Sequence, residues 1–409
     1  MSEQLPFHRS LADTIRSTAA SFPCLLVTGA RQVGKSTLLK SMMPEGMRYV
    51  TLDDYALAEQ ARQDPTGFLE AMGCPLCIDE IQYAPELFRA IKMKVDANRR
   101  PGMYWMTGSQ RFRLMKNVSD SLAGRIAILE LYTFSQREMT GRGNHAPEWC
   151  EENLKELAAS GAVCDIHELY RRIWHGGYPE LFLPNAPDRD TFFSSYVQTY
   201  VERDVQELSQ VGNKSAFVRL MRSAASRTGQ QLVYADLARD ADVSPNTAKL
   251  WISILETSGI ITLLEPYHIS TSKRLTKSPK LYFMDTGLCC WLAGWPTAEL
   301  LENSPFAGAI LETWAFGQLT RNYSDLGIRP WLSYYRETRG AEIDFLREVN
   351  GGIYPMEVKR SATPRLADLK AADGIPTGIQ ELRHGLVLCT AEQLRPLPFG
   401  HCGFPISAI

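Results

Sequence analysis

What this chain of 409 residues lacks narrows its function before any motif is read. No apolar run approaches the ~20 residues that a membrane-crossing helix needs, so no membrane partner is expected. The opening stretch "MSEQLPFHRSLADTIRS" has no apolar core behind its charges, unlike a secretory signal, and a cytoplasmic location is the expectation. A formal net charge of −2 predicts no general attraction to nucleic acid; any such contact has to come from a local patch. Nine cysteines, an odd number, form no disulfide framework. Cys74-Pro-Leu-Cys77 has CxxC spacing, but it runs into an apolar strand with no second Cys or His pair nearby. It reads as a buried strand pair rather than a zinc or redox site. The adjacent Cys289 and Cys290 read as core. With 44% hydrophobic and 22% charged residues the chain is expected to be a soluble globular protein, and its length calls for roughly two to four domains.

What is present begins with "PCLLVTGARQVGKSTLLKSM". An apolar strand meets Gly29, Ala30, Arg31, Gln32, Val33, Gly34, Lys35 and Ser36, which fit G-x-x-x-x-G-K-[ST] throughout, and a helix opens at Thr37. The glycines let the backbone curl so that its N–H groups face phosphate oxygens at a positive helix end. Lys35 is expected to reach the β- and γ-phosphates of ATP, and the Ser36 hydroxyl to ligate Mg²⁺. A second short apolar strand ends in Asp79-Glu80 within "PLCIDEIQYAP". Asp79 would hold the magnesium through water, and Glu80 would orient and deprotonate the attacking water.

Three more strands are expected in "MRYVTLDD", "MYWMTGSQ" and "RIAILEL". A five-stranded parallel sheet with an extra strand between the two nucleotide motifs resembles the AAA+ class of P-loop ATPases. That resemblance implies a γ-phosphate sensor at the end of the fourth strand, with Ser109 the best match and Thr107 second. It also implies an arginine before the fifth strand that enters a neighbouring subunit's site, and hence a homo-oligomer. Arg125 in "SLAGRIAIL" stands there, with Arg111 and Arg113 as rivals and a structural salt bridge as the other reading. "WHGGYPELF" resembles the loop that contacts the nucleotide base in related ATPases, with Gly177 and Pro179 matching; an ordinary interhelix turn is the alternative. Arg203 in "YVQTYVERDVQEL" either reaches back to the phosphates or makes a salt bridge.

In "QQLVYADLARDADVSPNTAKLWISILETSGIITLLEPY" a short helix ends near Asp242, and Ser244 caps a second one with Pro245 in its first turn. Ala248, Trp251, Ile252 and Leu255 form its apolar stripe, and Gly259 stops it before a strand. This is the winged-helix pattern. The hairpin loop "HISTSKRLTKSPK" carries Lys273, Arg274, Lys277 and Lys280 with no acid between Pro266 and Met284. It is expected to contact DNA phosphates, with protein docking as the alternative.

The last third is expected to hold the helix "PFAGAILETWAFGQLTRN", the strand "WLSYYRETRG", a hairpin "EIDFLREVNGGIYPMEVKR", a helix "SATPRLADLKAAD" and the strand "HGLVLCT". Strand alternation points Glu357 and Lys359 the same way, and Asp344 sits beside them on the partner strand. Two carboxylates and a lysine suit a Mg²⁺-dependent phosphodiesterase; they equally suit cross-strand pairing on an exposed face. The Asp-x(12)-Glu-x-Lys pattern, after a helix bearing Glu312, resembles the PD-(D/E)xK nucleases, with Ile343 where the motif has proline. That resemblance implies metal ligation by Glu312, Asp344 and Glu357.

Nearly the full length resembles a family of prokaryotic AAA+ ATPases with a C-terminal domain of unknown function, through "GARQVGKST", "IDEIQ", "SLAGR", "GGYPEL", "YVERD", "KSPKLYFMDTGL" and "EIDFL…MEVKR". The expected architecture is an α/β AAA+ core with a parallel five-stranded sheet (residues 1–132) and a helical lid (133–212). A winged helix (213–298) and a restriction-endonuclease-like α/β domain (299–409) follow. The function expected is ATP hydrolysis coupled to those two modules on DNA. An ATP-gated nuclease, or a nucleotide-controlled regulator or scaffold that cuts nothing, are the competing readings.

Overall fold

Three apolar runs, each flanked by polar loops, are buried on both faces and make the centre of a parallel sheet. They are β1 (Cys24–Thr28), β3 (Leu76–Asp79) and β4 (Tyr104–Thr107); β2 (Arg48–Thr51) and β5 (Ile126–Glu130) are half-exposed edges. The order is β2-β3-β4-β1-β5, with every pair parallel. This computed structural model describes residues 7–109, 122–142, 151–161, 163–201, 213–268, 278–337 and 340–409. A parallel sheet places the carboxyl ends of its strands along one edge, so Thr28, Asp79 and Thr107 share the edge where such folds bind ligands. Cys74 is exposed and only Cys77 is buried, so these two do not form the buried pair that their spacing suggested.

The middle of the chain is helical. Asp165 caps the helix Ile166–His175 by accepting from the Glu168 N–H, and Gly176, at φ 81°, ends it. The helix Arg189–Tyr200 follows. Next come Lys214–Ala225, β6 (Gln230–Gln231), Tyr234–Ala241, Pro245–Thr257, β7 (Ile261–Leu264) and β8 (Lys280–Phe283), the strands pairing antiparallel in the order β6-β8-β7. Asp242 makes the tight turn at φ 57°, and the Ser244 hydroxyl accepts from the Thr247 N–H at 3.1 Å.

The helix Ala307–Ser324 leads into a mixed sheet of β9 (Leu332–Arg336), β10 (Glu342–Val349), β11 (Gly352–Lys359), β12 (Glu381–Leu382), β13 (Leu386–Cys389), β14 (Arg395–Pro396) and β15 (Cys402–Pro405). Its order is β14-β15-β13-β11-β10-β9, with β12 on β11. Asn350 and Gly351, both at positive φ, turn the β10–β11 hairpin. The helix expected in "SATPRLADLKAAD" is a 3-10 helix over Leu366–Gly374. Its buried residues, Leu369 and Ala372, lie three apart, which is the period of that tighter coil.

One continuous apolar core runs from β1 through Ile166–His175 and Lys214–Ala225 to Ala307–Ser324. Polar contacts join the same parts. Arg321 Nη2 donates to Thr133 Oγ1 at 2.9 Å, and the Gln136 N–H donates to Gln318 Oε1 at 2.8 Å. Among the described residues no helix is long and apolar enough to cross a membrane.

Candidate nucleotide site and the C-terminal carboxylate cluster

The loop after β1 is built by backbone constraints. Gly29 sits at φ 140°, and a Cβ there would lie 2.1 Å from the Leu131 carbonyl oxygen, so no larger residue fits. Gln32 at φ 59° and Gly34 at φ 91° complete the curl, and Gly34 caps the helix Lys35–Met42. Val33 is fully buried, and its carbonyl accepts from Arg9 Nη1 at 3.0 Å. Arg9 also donates to the Tyr132 carbonyl at 2.7 Å and pairs with Glu138 at 3.0 Å, with both side chains 1% exposed. The loop is thus braced from behind by a buried ion pair that no local motif announces. The Lys35 ammonium donates to the carbonyls of Gly29 at 3.0 Å and Ala30 at 2.8 Å.

The end of β3 supplies the acids. Asp79 accepts from Ser36 Oγ at 2.8 Å, from the Tyr49 hydroxyl at 2.5 Å and from Thr107 Oγ1. Burial and the Asp79 carboxylate raise the Tyr49 hydroxyl well above its ordinary value, so it stays a proton donor. Glu80 takes a left-handed conformation at φ 56°, and its N–H donates to Thr107 Oγ1 at 3.1 Å. Its carboxylate accepts from the Gln82 amide and, at 3.5 Å, from Ser109 Oγ. Ser36 and Asp79, a hydroxyl and a carboxylate in contact, are hard oxygen donors that suit magnesium. When bound, that ion would neutralise charge on the β- and γ-phosphate oxygens.

A cavity of about 450 Å³ lies over this loop, lined by Arg31, Gln32, Gly34, Lys35, Ser36, Thr37 and Glu80, and walled by Tyr196, Thr199 and Tyr200. The last three come from the helix Arg189–Tyr200, and no spacing in the sequence singles them out. Gly177 and Pro179, matched to a base-contacting loop, do not line the cavity. Gly177 donates to Asp285 Oδ2 at 2.9 Å and accepts from the Phe134 N–H at 2.8 Å, and Pro179, itself buried, starts the 3-10 turn Pro179–Phe182. The glycine is required there because a Cβ would meet the Phe134 carbonyl oxygen at 2.6 Å. Arg125 precedes β5 at the strand end remote from the loop and grips Asp96 with two hydrogen bonds, at 2.5 and 3.1 Å. Arg111, Arg113 and Arg203 lie outside the described residues.

The C-terminal acids do come together, around an unexpected partner. Lys280, expected on the exposed basic loop, is 2% exposed. Its ammonium donates to Glu312 Oε1 at 2.9 Å, lies 3.5 Å from Asp344 Oδ1 and pairs with Glu342. Lys280 therefore leaves the set proposed to contact DNA, while Lys273, Arg274 and Lys277 fall outside the described residues. Glu357 accepts from Lys359 Nζ at 2.5 Å and from the Asp344 N–H at 3.3 Å, and the Val358 N–H donates to Asp344 Oδ2 at 2.9 Å. Burial, reinforced by the Asp344 charge, pushes Glu312 up to about 8 and Glu357 up to about 7. Burial alone would lower Lys280, but Glu312, Asp344 and Glu342 together hold it above its ordinary value. As arranged, Glu312, Asp344 and Glu357 do not fit a divalent metal, because their oxygens are turned to ammonium and amide donors. Among the described residues no three His, Cys, Asp or Glu side chains form a metal-holding group.

Comparison with known proteins adds to this geometry. Residues 21–140 match a family model described as an AAA domain, and residues 166–299 and 307–409 match two domains of unknown function, DUF8612 and DUF4143. An uncharacterized protein of Mycobacterium tuberculosis is 30% identical over 362 residues, 88% of this chain and 75% of that protein; one of Mycobacterium bovis matches to the same extent. The chain belongs to their family. In this family member the N-terminal part is a P-loop AAA-type ATPase domain, a nucleotide-binding and hydrolysing unit, with the parallel α/β sheet of that class. Among solved structures, the Walker-type ATPase of Pyrococcus abyssi is 15% identical, with a TM-score of 0.41 over 69% of this chain and 94% of that one. RuvB of Thermotoga maritima is 15% identical, with a TM-score of 0.30 over 62% of this chain and 86% of that one.

Proposed function

We propose that this protein hydrolyses ATP with magnesium in the cavity over the Gly29–Thr37 loop. One observation carries the reading: Glu80, turned back at the end of β3, lines the same cavity as Lys35 and Ser36. The amides of the loop and Lys35 bind the phosphates; to do so, the Lys35 ammonium exchanges its two carbonyl partners for phosphate oxygens. Ser36 and Asp79 hold the metal. Glu80 accepts a proton from the attacking water as its oxygen bonds to the γ-phosphorus, and the bond to the β–γ bridging oxygen breaks, releasing ADP and phosphate. Ser109, which donates to Glu80 at 3.5 Å, holds that carboxylate and serves as the γ-phosphate sensor in this reading. Glu80→Gln should bind ATP normally and turn it over about a hundred-fold more slowly or less; unchanged turnover would remove Glu80 from this role.

The reading extends to partners. Residues 213–268 and 278–298 are a winged helix, supported by the order helix, β6, helix, capped helix and β7–β8 hairpin. Asn246, Lys249 and Ser253 are exposed along the capped helix Pro245–Thr257, and the sequence supplies Lys273, Arg274 and Lys277 between β7 and β8. DNA is the partner that these groups suit, through phosphate contacts. Arg125 completes a neighbouring subunit's site in a homo-oligomer, supported by its place away from its own chain's cavity. The C-terminal part has the hairpin, helix and acids of a PD-(D/E)xK nuclease, but its arrangement favours the regulator or scaffold reading over cleavage.

A further inference from the structure

The carboxylate cluster of the C-terminal part already contains a cation, and that cation belongs to the middle of the chain. Lys280 opens β8, whose neighbours β6 and β7 are both in the middle part. From there its side chain passes into the space between the helix Ala307–Ser324 and β10. Three acids converge on it: Glu312 at 2.9 Å, Asp344 at 3.5 Å and Glu342. The Tyr282 hydroxyl, two residues along the same strand, donates to Glu312 Oε1 at 2.5 Å.

The hairpin is held in this position by backbone bonds on the β9 edge. The Tyr267 N–H donates to the Tyr334 carbonyl at 2.6 Å, and the Tyr334 N–H donates to the Glu265 carbonyl at 3.1 Å. The Tyr334 hydroxyl donates to the Ser278 carbonyl at 2.5 Å and accepts from Gln231 Nε2 at 2.9 Å. Residues on both sides of the loop between β7 and β8 are therefore fixed to the C-terminal sheet, and Lys280 has no freedom to leave while they hold.

A magnesium ion in this place would need several oxygens at about 2.0–2.1 Å in octahedral array. The oxygens facing Lys280 are spaced for N–H donors instead, and Asp344 Oδ2 is taken by the Val358 N–H. An entering metal would have to expel a buried ammonium and leave it without its acids, which is the costly way to break such a pair.

We infer that Lys280 is the resident cation of the Glu312–Glu342–Asp344 cluster. With the β7–β8 hairpin seated on β9, the cluster takes this internal ammonium in place of a divalent metal ion, and removing the ammonium uncovers a divalent-cation site. The contact is a charge latch between the middle and C-terminal parts, independent of whether the N-terminal loop turns over ATP.

Manganese(II), titrated calorimetrically into the full-length protein without nucleotide, tests this. Wild type and Asp344→Asn should bind the ion alike, because Asp344 is engaged by Lys280. Lys280→Gln should bind it at least about ten-fold more tightly than Lys280→Gln/Asp344→Asn. A wild type that binds manganese about ten-fold more tightly than Asp344→Asn would overturn the inference, as would a folded Lys280→Gln that gains nothing. If Lys280→Gln does not fold, the wild-type and Asp344→Asn pair decides alone: equal binding sustains the latch, and a difference ends it.

Discussion

Ser36 Oγ donates to Asp79 Oδ1 at 2.8 Å, joining the first turn of the helix Lys35–Met42 to the end of β3 across 43 positions of the chain. The contact sets the hydroxyl and the carboxylate side by side at the carboxyl edge of the sheet, where both can share one metal ion. Ser36→Ala removes one of the two oxygens and leaves the amide cradle intact. Its affinity for Mg-ATP should fall on the order of ten- to a hundred-fold, while metal-free ATP binds as before. Titration with a fluorescent ATP analogue, with and without magnesium, measures both; an equal loss in the two conditions would point to a damaged loop.

Arg125 is held by Asp96 in its own chain, so a role in a neighbour's site requires it to exchange that carboxylate for phosphate. Arg125→Ala should retain ATP binding and lose on the order of a thousand-fold in turnover. Adding an excess of Lys35→Ala, whose Arg125 is intact, should restore part of it in mixed assemblies. No restoration in steady-state assays of the mixture would leave Arg125 a surface brace.

Lys273, Arg274 and Lys277 remain as the proposed DNA contacts once Lys280 is assigned to the acid cluster. Replacing Lys273, Arg274 and Lys277 with alanine should weaken DNA binding and flatten its salt dependence, by roughly 0.9 in the log–log slope for each phosphate no longer neutralised. Binding isotherms at several salt concentrations give that slope. An unchanged slope would make the wing a protein-docking element.

The nucleotide loop is legible in the sequence because its chemistry is local: eight consecutive residues fix the backbone, and the strand before and helix after follow from apolar runs. The acid pair at Asp79 and Glu80 is legible for the same reason. Arg9, Tyr49, Tyr196, Thr199 and Tyr200 are not, because each reaches the site from a distant segment and no spacing ties it to the motif. Lys280 misleads in an informative way. Flanked by a basic, acid-free loop it looks exposed, yet it belongs to a strand buried at every position. Its partners stand 32 and 64 residues further along the chain, and only tertiary structure joins them. The one local hint is the company of Leu281, Tyr282 and Phe283, which places a lysine at the start of a fully apolar run.

The same cluster sets a pH dependence. Glu312 is raised from 4.5 to about 8 and Glu357 from 4.5 to about 7, so over that range the folded state holds protons that the unfolded chain has released. Stability should therefore fall as pH rises from about 4.5 to about 8, then level off as the folded acids ionise. Glu312→Gln should flatten this part of the profile, read as denaturation midpoints across the range. A midpoint that rises with pH through this window, unchanged by the substitution, would contradict the assignment.

Calorimetric titration of Mg-ATP into wild type and Lys35→Ala tests most directly whether the main-chain coil after β1 grips a triphosphate. Among the described residues, Lys35 is the only lysine lining the cavity. Saturable binding by wild type, weakened at least about ten-fold in Lys35→Ala, is the predicted result. No heat of binding in wild type, or equal binding by both proteins, would contradict it.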